Sequence, residues 1–250
     1  KAGAAELAIS GGVESMSRIT MGSDMFLQGE MMTPSPKMSW KYNIIPQGLS
    51  AELVAERFGL SREELDAYSY ESHQRAAKAD DAGKFDREIV SMNVHSEESG
   101  DFEFSNDEGI RRSTTMEKLA TLKPAFREDG VITAASSSQI SDGSAAILLA
   151  SKAAVDKYGL KPRAKIVSMA TAGVDPTIML TAPIGATRKV LDRAGLSVGD
   201  LGAIELNEAF ASVAVGCARE LDLDFEKVNV YGGAIALGHP LGASGARLMT

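Results

Sequence analysis

The second half of the chain constrains its fold most. From about residue 131, short apolar runs alternate with helical patterns up to Thr250. The spacing predicts an apolar strand over 144–150, a helix over 152–158, a strand over 164–171 and a helix over 184–194. A strand over 201–206, a helix over 208–220, a short strand over 228–231, a glycine-rich turn and a final helix near Ala243 complete the series. Strands alternating with helices imply a layered α/β architecture, because each sheet face needs helices to cover it.

The first half is less regular. Residues 5–16 predict a buried strand ending in a glycine turn. Residues 20–47 have no period. They carry Met21, Met25, Met31, Met32 and Met38, with Met16 just before, together with Pro34, Pro36 and Trp40. This is either a surface loop packed by its own flexible side chains or a loop covering an apolar ligand. A helix from Ser50 to Phe58 stops at Gly59. Ser61-Arg-Glu-Glu64 is a capping box that opens a helix to about Ala82. Leu65, Tyr68, Ser72, Ala76 and Ala79 form its inner face, and His73 reads as a helix-surface or interface histidine. Residues 86–112 read as a strand, an exposed loop and a turn, with His95 on the surface. A short helix follows Thr115 and ends at Pro124-Ala-Phe126. Residues 17–130 therefore look like an insertion between α/β parts.

The composition removes several classes of function. The 250 residues carry a net charge of -8, so a generic nucleic-acid binder is set aside. With one cysteine, Cys217, neither an intrachain disulfide framework nor a four-thiolate zinc site can form. Its apolar helical setting marks Cys217 as a packing residue. No apolar run reaches the roughly 20 residues of a membrane span. Lys1 is not a methionine, and Ser244–Thr250 reads like a helix cut after its second turn. The chain is thus expected to be an internal piece of a longer protein.

Three junctions between strands and helices carry candidate chemistry. The first is Leu206-Asn207-Glu208-Ala209-Phe210. Asn207 either holds a water or ligand oxygen at the mouth of the sheet or caps the following helix. The second runs from Tyr231 to Arg247 through Gly238-His239-Pro240. Its glycines permit sharp turns and close approach, and Pro240 restricts the backbone of His239. A fixed imidazole beside a helix start can donate to developing negative charge or accept a thiol proton. No Gly-Lys-Ser/Thr follows, so this is not a phosphate loop. The third is Ser136-Ser137-Ser138 with Asp142-Gly143, which either admits a ligand chain or simply forms a turn.

Taken in order, these segments resemble the thiolase family, and most closely the 3-ketoacyl-CoA thiolases. The resemblance rests on Ser10-Gly-Gly-Val-Glu-Ser-Met-Ser17, Ala51-Glu-Leu-Val-Ala-Glu-Arg57 and Asp107-Glu108 with Arg111. It continues through Leu122-Lys-Pro-Ala-Phe126, Ile132-Thr-Ala134, Ser141-Asp-Gly143, Asn207-Glu-Ala-Phe210 and Gly232-Gly233 with Gly238-His239-Pro240 and Gly242-Ala-Ser-Gly245. It implies duplicated α/β layers with an inserted loop domain. The division would be 1–16 as the end of the N-terminal half, 17–140 as the loop domain, 141–160 as the return to that half, and 161–250 as the C-terminal half.

The implied reaction is acyl transfer between CoA thioesters through a cysteine acyl-enzyme, with coenzyme A as substrate and no permanently bound cofactor. The implied partners are acyl-CoA and CoA in a homodimer or tetramer. Cytoplasmic localisation is the default expectation, and any targeting leader would lie upstream of Lys1. His239 would activate the nucleophilic cysteine and donate to the thioester oxygen, and Asn207 would hold a water in the same oxyanion hole. Ser138 would contact the pantetheine arm, and Phe126, Met179 and Phe210 would line the pantetheine and acyl tunnel. Gly48, in the covering loop, would join them.

Two departures leave room for an acyl chain longer or bulkier than acetoacetyl. Ala135-Ser-Ser-Ser-Gln139 replaces the usual Gly-Asn-Ala-Ser-Gly, and Pro46-Gln47-Gly48 replaces His-Met-Gly. The family's nucleophile and base cysteines are both absent, since Cys217 lies in a different segment. The 250 residues alone are therefore expected to be inactive. A non-catalytic acyl-CoA-binding or structural subunit is the alternative, but retained oxyanion donors favour an enzyme. Arg111, Arg112, Lys161 and Arg163 either meet CoA phosphates or are solvated surface charge.

Overall fold

A computed structural model describes residues 3–27 and 29–250, without the side chains of Asp24, Leu27 and Met31. Lys1, and the side chain of Met31 in the methionine-rich stretch, lie outside the described residues. The first half contains β1 (Leu7–Ser15), β2 (Phe26–Leu27), β3 (Glu30–Met31), α1 (Pro36–Lys41), α2 (Gln47–Phe58), α3 (Arg62–Asp81), β4 (Met92–Ser96), β5 (Gly100–Phe104) and α4 (Met116–Ala120). The second contains β6 (Asp142–Ala150), α5 (Lys152–Tyr158), α6 (Ala182–Ala194), α7 (Ala211–Glu220), α8 (Ala234–Leu237) and α9 (Leu241–Arg247).

Two helix boundaries in the first half follow their sequence signals. Ser61 Oγ accepts the Glu64 N–H at 3.2 Å and opens α3, and Gly59 takes the left-handed conformation that ends α2. Helix α2, however, begins at Gln47, three residues before the predicted Ser50, so Gly48 lies in a helix and not in a covering loop. Helix α1 forms inside the stretch read as a loop. The inner face of α3 is buried at Leu65, Ser72, Ala76 and Ala79. His73 is buried there too, so of its two readings, helix surface or interface, the structure shows the interface. Its Nδ1 accepts the backbone N–H of Arg111 at 3.1 Å, so a loop 38 residues away covers it.

β1 and β6 pair antiparallel from Leu7↔Ala150 to Ser15↔Asp142. The ladder brings both ends of the intervening stretch to one place. Asp142 clamps that neck by accepting the Ser17 N–H at 2.8 Å and both the Ser15 and Ser17 hydroxyls. Helix α9 lies directly on the pair. A Cβ on Gly12 would collide with the Gly242 carbonyl, and one on Gly143 would sit 2.7 Å from Pro240 Cγ. Glycine is needed at both positions for the His239–Pro240 turn to come this close.

The core centres on α7. Every residue from Ala211 to Ala218 is buried, as expected for a helix that is apolar all round. It packs against Ala51 and Ala55 of α2, Leu65 of α3, Ile235 of α8 and Ile132 from a neighbouring loop. Cys217 is part of this core, as its sequence setting predicted.

Three predicted strands do not form as such. No strand ladder spans 164–171 among the described residues. The 201–206 and 228–231 segments meet only at a parallel bridge between Ile204 and Val228. The cause is Asn229, whose left-handed φ of 48° turns the chain out of line. Its side chain then takes over the pairing. The Asn229 amide accepts the Leu206 N–H and donates to the Leu206 carbonyl, each at 2.8 Å. One carboxamide thus replaces the next rung of the ladder. Helix α7 also begins three residues later than predicted, because Phe210 is extended and bridges Ser137.

Candidate active site

Two turns of unrelated sequence converge at one point. Asn207 follows the 204–206 extended segment, and its Nδ2 lies 3.2 Å from Nε2 of His239. Asn207 does not cap α7, whose N-cap is Phe210. Its Oδ1 is buried and has no hydrogen-bond partner among the described residues. His239 is half-buried and follows Gly238, which has a left-handed φ of 80°. A Cβ at Gly238 would strike Ser141 Oγ, so only glycine fits this turn.

The imidazole is held from its other side as well. Nδ1 lies 2.6 Å from Ser244 Oγ, and that hydroxyl also reaches the Pro240 carbonyl at 3.0 Å. Ser244 has one hydroxyl proton, so the network has two consistent arrangements. If Ser244 donates to Pro240, Nδ1–H donates to Ser244 and Nε2 accepts from Asn207. If Ser244 donates to Nδ1, the imidazole proton sits on Nε2 and the contact with Asn207 Nδ2 is between two donors, an arrangement that calls for an acceptor bound beside both. Burial, and to a lesser extent the charge of Arg247, hold the His239 pKa below its ordinary value. The ring is therefore neutral near pH 7 and can either donate or accept.

A buried carboxylate fixes the base of the site. Glu208 receives the Tyr68 hydroxyl at 2.9 Å, the Ser72 hydroxyl and Asn229 Nδ2 at 2.8 Å, and the Ile235 N–H at 3.1 Å. It joins the residue after Asn207 to α3 and to the start of α8. Burial, reinforced by the charge of Glu208, pushes the Tyr68 hydroxyl well above its ordinary pKa, so it remains a donor. Sequence reasoning missed Glu208, because a glutamate beside apolar residues reads as exposed until its four donors are known.

The other predicted site residues fall into two groups. Phe126 and Phe210 meet edge to face with centroids 5.7 Å apart, and Gly48 lies against the Phe126 ring so closely that a Cβ would overlap it. These three form one apolar wall. Ser138 is tied to the segment after Asn207: its N–H donates to the Ala209 carbonyl at 3.0 Å, and no hydrogen bond of its hydroxyl is found among the described residues. Met179 is half-buried in a 3-10 turn, Pro176–Thr181, that packs on α2. Arg112 is engaged elsewhere, in ion pairs with Asp80 and Asp81. Cys217 lies in the core, where burial pushes its thiol up to about 12. It stays protonated and is no nucleophile. Among the described residues, no cluster of His, Cys, Asp and Glu could hold a metal ion, and no helix is long and apolar enough to cross a membrane.

A half-buried asparagine–histidine pair beside an apolar wall, on α/β layers, is an arrangement suited to stabilising carbonyl charge. The chain belongs to the thiolase family. Residues 1–153 match the thiolase N-terminal domain and residues 160–250 the thiolase C-terminal domain. The chain is 46% identical over 256 residues to the 3-ketoacyl-CoA thiolase of Bacillus subtilis, covering 98% of this chain and 64% of that protein. It is 47% identical to the 3-oxoadipyl-CoA/3-oxo-5,6-dehydrosuberyl-CoA thiolase of Escherichia coli, covering 99% of this chain and 65% of the relative. The crystal structure of human mitochondrial 3-ketoacyl-CoA thiolase superposes with a TM-score of 0.84 at 39% identity, over 98% of this chain and 64% of that one. The chain thus spans a little under two thirds of the length of these relatives.

Proposed function

We propose that this chain forms the oxyanion-stabilising part of an enzyme that transfers acyl groups between CoA thioesters. The reaction is thiolytic cleavage of a 3-ketoacyl-CoA to acetyl-CoA and a shortened acyl-CoA, or the reverse condensation. The observation that carries this reading is the 3.2 Å approach of Asn207 Nδ2 to His239 Nε2. With its proton on Nε2, His239 and the Asn207 amide are both donors. They converge on an oxygen placed between them, directly or through water. The unpartnered Oδ1 of Asn207 supports a polar occupant at this point.

The thioester oxygen bears charge only while the carbon–carbon bond breaks or forms. Donors already held in place lower that barrier rather than simply tightening binding. The wall of Phe126, Phe210 and Gly48 suits the apolar stem of the substrate, and the free hydroxyl of Ser138 suits the pantetheine amides. The acyl-accepting cysteine and the base cysteine come from outside these 250 residues, since the one cysteine present stays protonated in the core. The boundaries 17–140 for the loop domain and 161–250 for the C-terminal half belong to the same reading. The assembled protein is a homodimer or tetramer. β1, predicted as a buried strand, is exposed at Ile9 and Val13, which supports a further protein surface against it.

The test is thiolysis of acetoacetyl-CoA and longer 3-ketoacyl-CoA by the product of the complete gene. Asn207→Ala should lower kcat by about a hundred- to thousandfold while the protein stays folded. The 250-residue chain alone should give no turnover. Full activity in the folded Asn207→Ala protein would remove the assigned role.

A further inference from the structure

The segment 136–139 touches both halves of the candidate site. Ala211 N–H donates to the Ser136 carbonyl at 2.8 Å, and Ser138 N–H donates to the Ala209 carbonyl at 3.0 Å. These contacts hold the Asn207 turn. One residue further on, the Gln139 carbonyl accepts the His239 N–H at 3.1 Å. A single strip of backbone therefore sets the Asn207 turn relative to the His239 turn.

The side chain of Gln139 adds a second hold. Helix α8 has only four residues, so its last carbonyls need partners from outside. The Gly238 N–H bonds Ala234 O at 2.9 Å, and the next N–H in the helical series, that of His239, would bond Ile235 O. It turns to Gln139 instead. The Gln139 amide takes the carbonyl left behind: Nε2 lies 2.9 Å from Ile235 O, 2.9 Å from Ala236 O and 2.8 Å from Gly109 O. Arg247 completes the end of the helix by donating to the carbonyls of Leu237 and Gly238. Gln139 thus withdraws one N–H from the helix and restores a donor in its place. This ends α8 at Leu237, two residues before the imidazole.

Gln139 puts a side chain where a glycine would leave none. A glycine carbonyl could still accept the His239 N–H, but no side chain would then reach Ile235 O and Ala236 O. We propose that Gln139 is a positioning residue for His239: its carbonyl holds the His239 N–H and its amide holds the end of α8, so that the imidazole leaves the helix aimed at Asn207. The functional meaning of this device rests on the oxyanion reading. The placement itself does not.

The test uses the product of the complete gene labelled with 15N. Gln139→Met keeps length and volume but removes the amide donors. The expected result is about tenfold faster hydrogen exchange at the His239 backbone N–H, as for loss of a net hydrogen bond. The imidazole resonances of His239 should shift as well. The amides of the β1–β6 ladder and the imidazole of His95 should be unchanged. Wild-type exchange and resonances at His239 in a folded variant would overturn the proposal. Uniform acceleration that includes the ladder would also overturn it, since that marks general loosening. If Gln139→Met does not fold, Gln139→Asn, one methylene shorter, is read by the same criteria. Failure of thiolysis in the complete enzyme would count against the oxyanion reading and leave these measurements unaffected.

Discussion

The site and the stretch over residues 19–44 are built on opposite principles. Around Asn207 and His239, buried polar atoms are tied to fixed partners and segments distant in sequence cross-link one another. In the 19–44 stretch, apolar side chains face outward: Ile19 is 65% exposed, Met21 53% and Trp40 91%. Helix α1 buries none of its residues. A hydrogen bond from Thr177 Oγ1 to the Asn43 carbonyl, at 2.8 Å, fastens the end of this stretch. The contrast separates two demands. Stabilising charge needs donors that do not reorganise, whereas accommodating an apolar chain is served by flexible side chains that adapt.

If that contrast is right, a change at the base of the site should cost most. Glu208→Ala removes one carboxylate and strands four donors, those of Tyr68, Ser72, Asn229 and Ile235. Each stranded buried donor carries its own desolvation penalty, so the loss should reach about 4 kcal/mol. Urea unfolding of the 250-residue chain measures it. A loss below about 1 kcal/mol would mean the base of the site is not rigid, and the comparison would fail.

Much of this framework was legible in the sequence, for local reasons. The Ser61 cap, the Gly59 stop and the inner face of α3 depend on residues three or four apart, and they formed where predicted. The burial of Cys217 followed from its apolar helix. Asn207 and His239 were singled out from the strand ends and glycine turns around them, and the family resemblance added their pairing. What the sequence hid was every feature that needs a distant partner. Asn229 replaces a ladder rung because Leu206 lies opposite, 23 residues away. His73 is buried because Arg111 and its loop cover it. Glu208 and Gln139 look like ordinary polar residues until their bonding partners are in place. The strand predicted over 164–171 failed for the same reason. Propensity marks a candidate, but a ladder needs a neighbour.

His73 gives an intermediate effect and probes the border of the rigid region. Burial, followed by the charge of Arg111, lowers its pKa from 6.5 to about 4. The unfolded chain therefore takes up this proton near pH 6.5, while the folded chain resists until about pH 4. The unfolded state binds more protons across that window, so stability falls as pH drops through it and levels off below. The expected loss is about 2–3 kcal/mol. His239, also held below its ordinary value, contributes with the same sign. Glu205, raised to about 7 by burial, contributes with the opposite sign across the same window. Urea midpoints at pH 7 and pH 4.5 are therefore compared between wild type and His73→Gln, and the difference isolates the histidine. An unchanged slope in that variant would place the acid sensitivity elsewhere.

The smallest effect should come from the largest exposed side chain. Trp40→Ala removes an indole that is 91% exposed, so almost no burial is lost. The change in stability should stay within about 0.5 kcal/mol. Trp40 is the chain's one tryptophan, so its fluorescence reports on this stretch alone. In the wild-type chain, acrylamide should quench it nearly as fast as free indole. Slow quenching, or a loss above about 1 kcal/mol on substitution, would mean that this stretch is fastened down. The two regions would then differ in chemistry but not in rigidity, and an adaptable cover would have to be sought elsewhere in the chain.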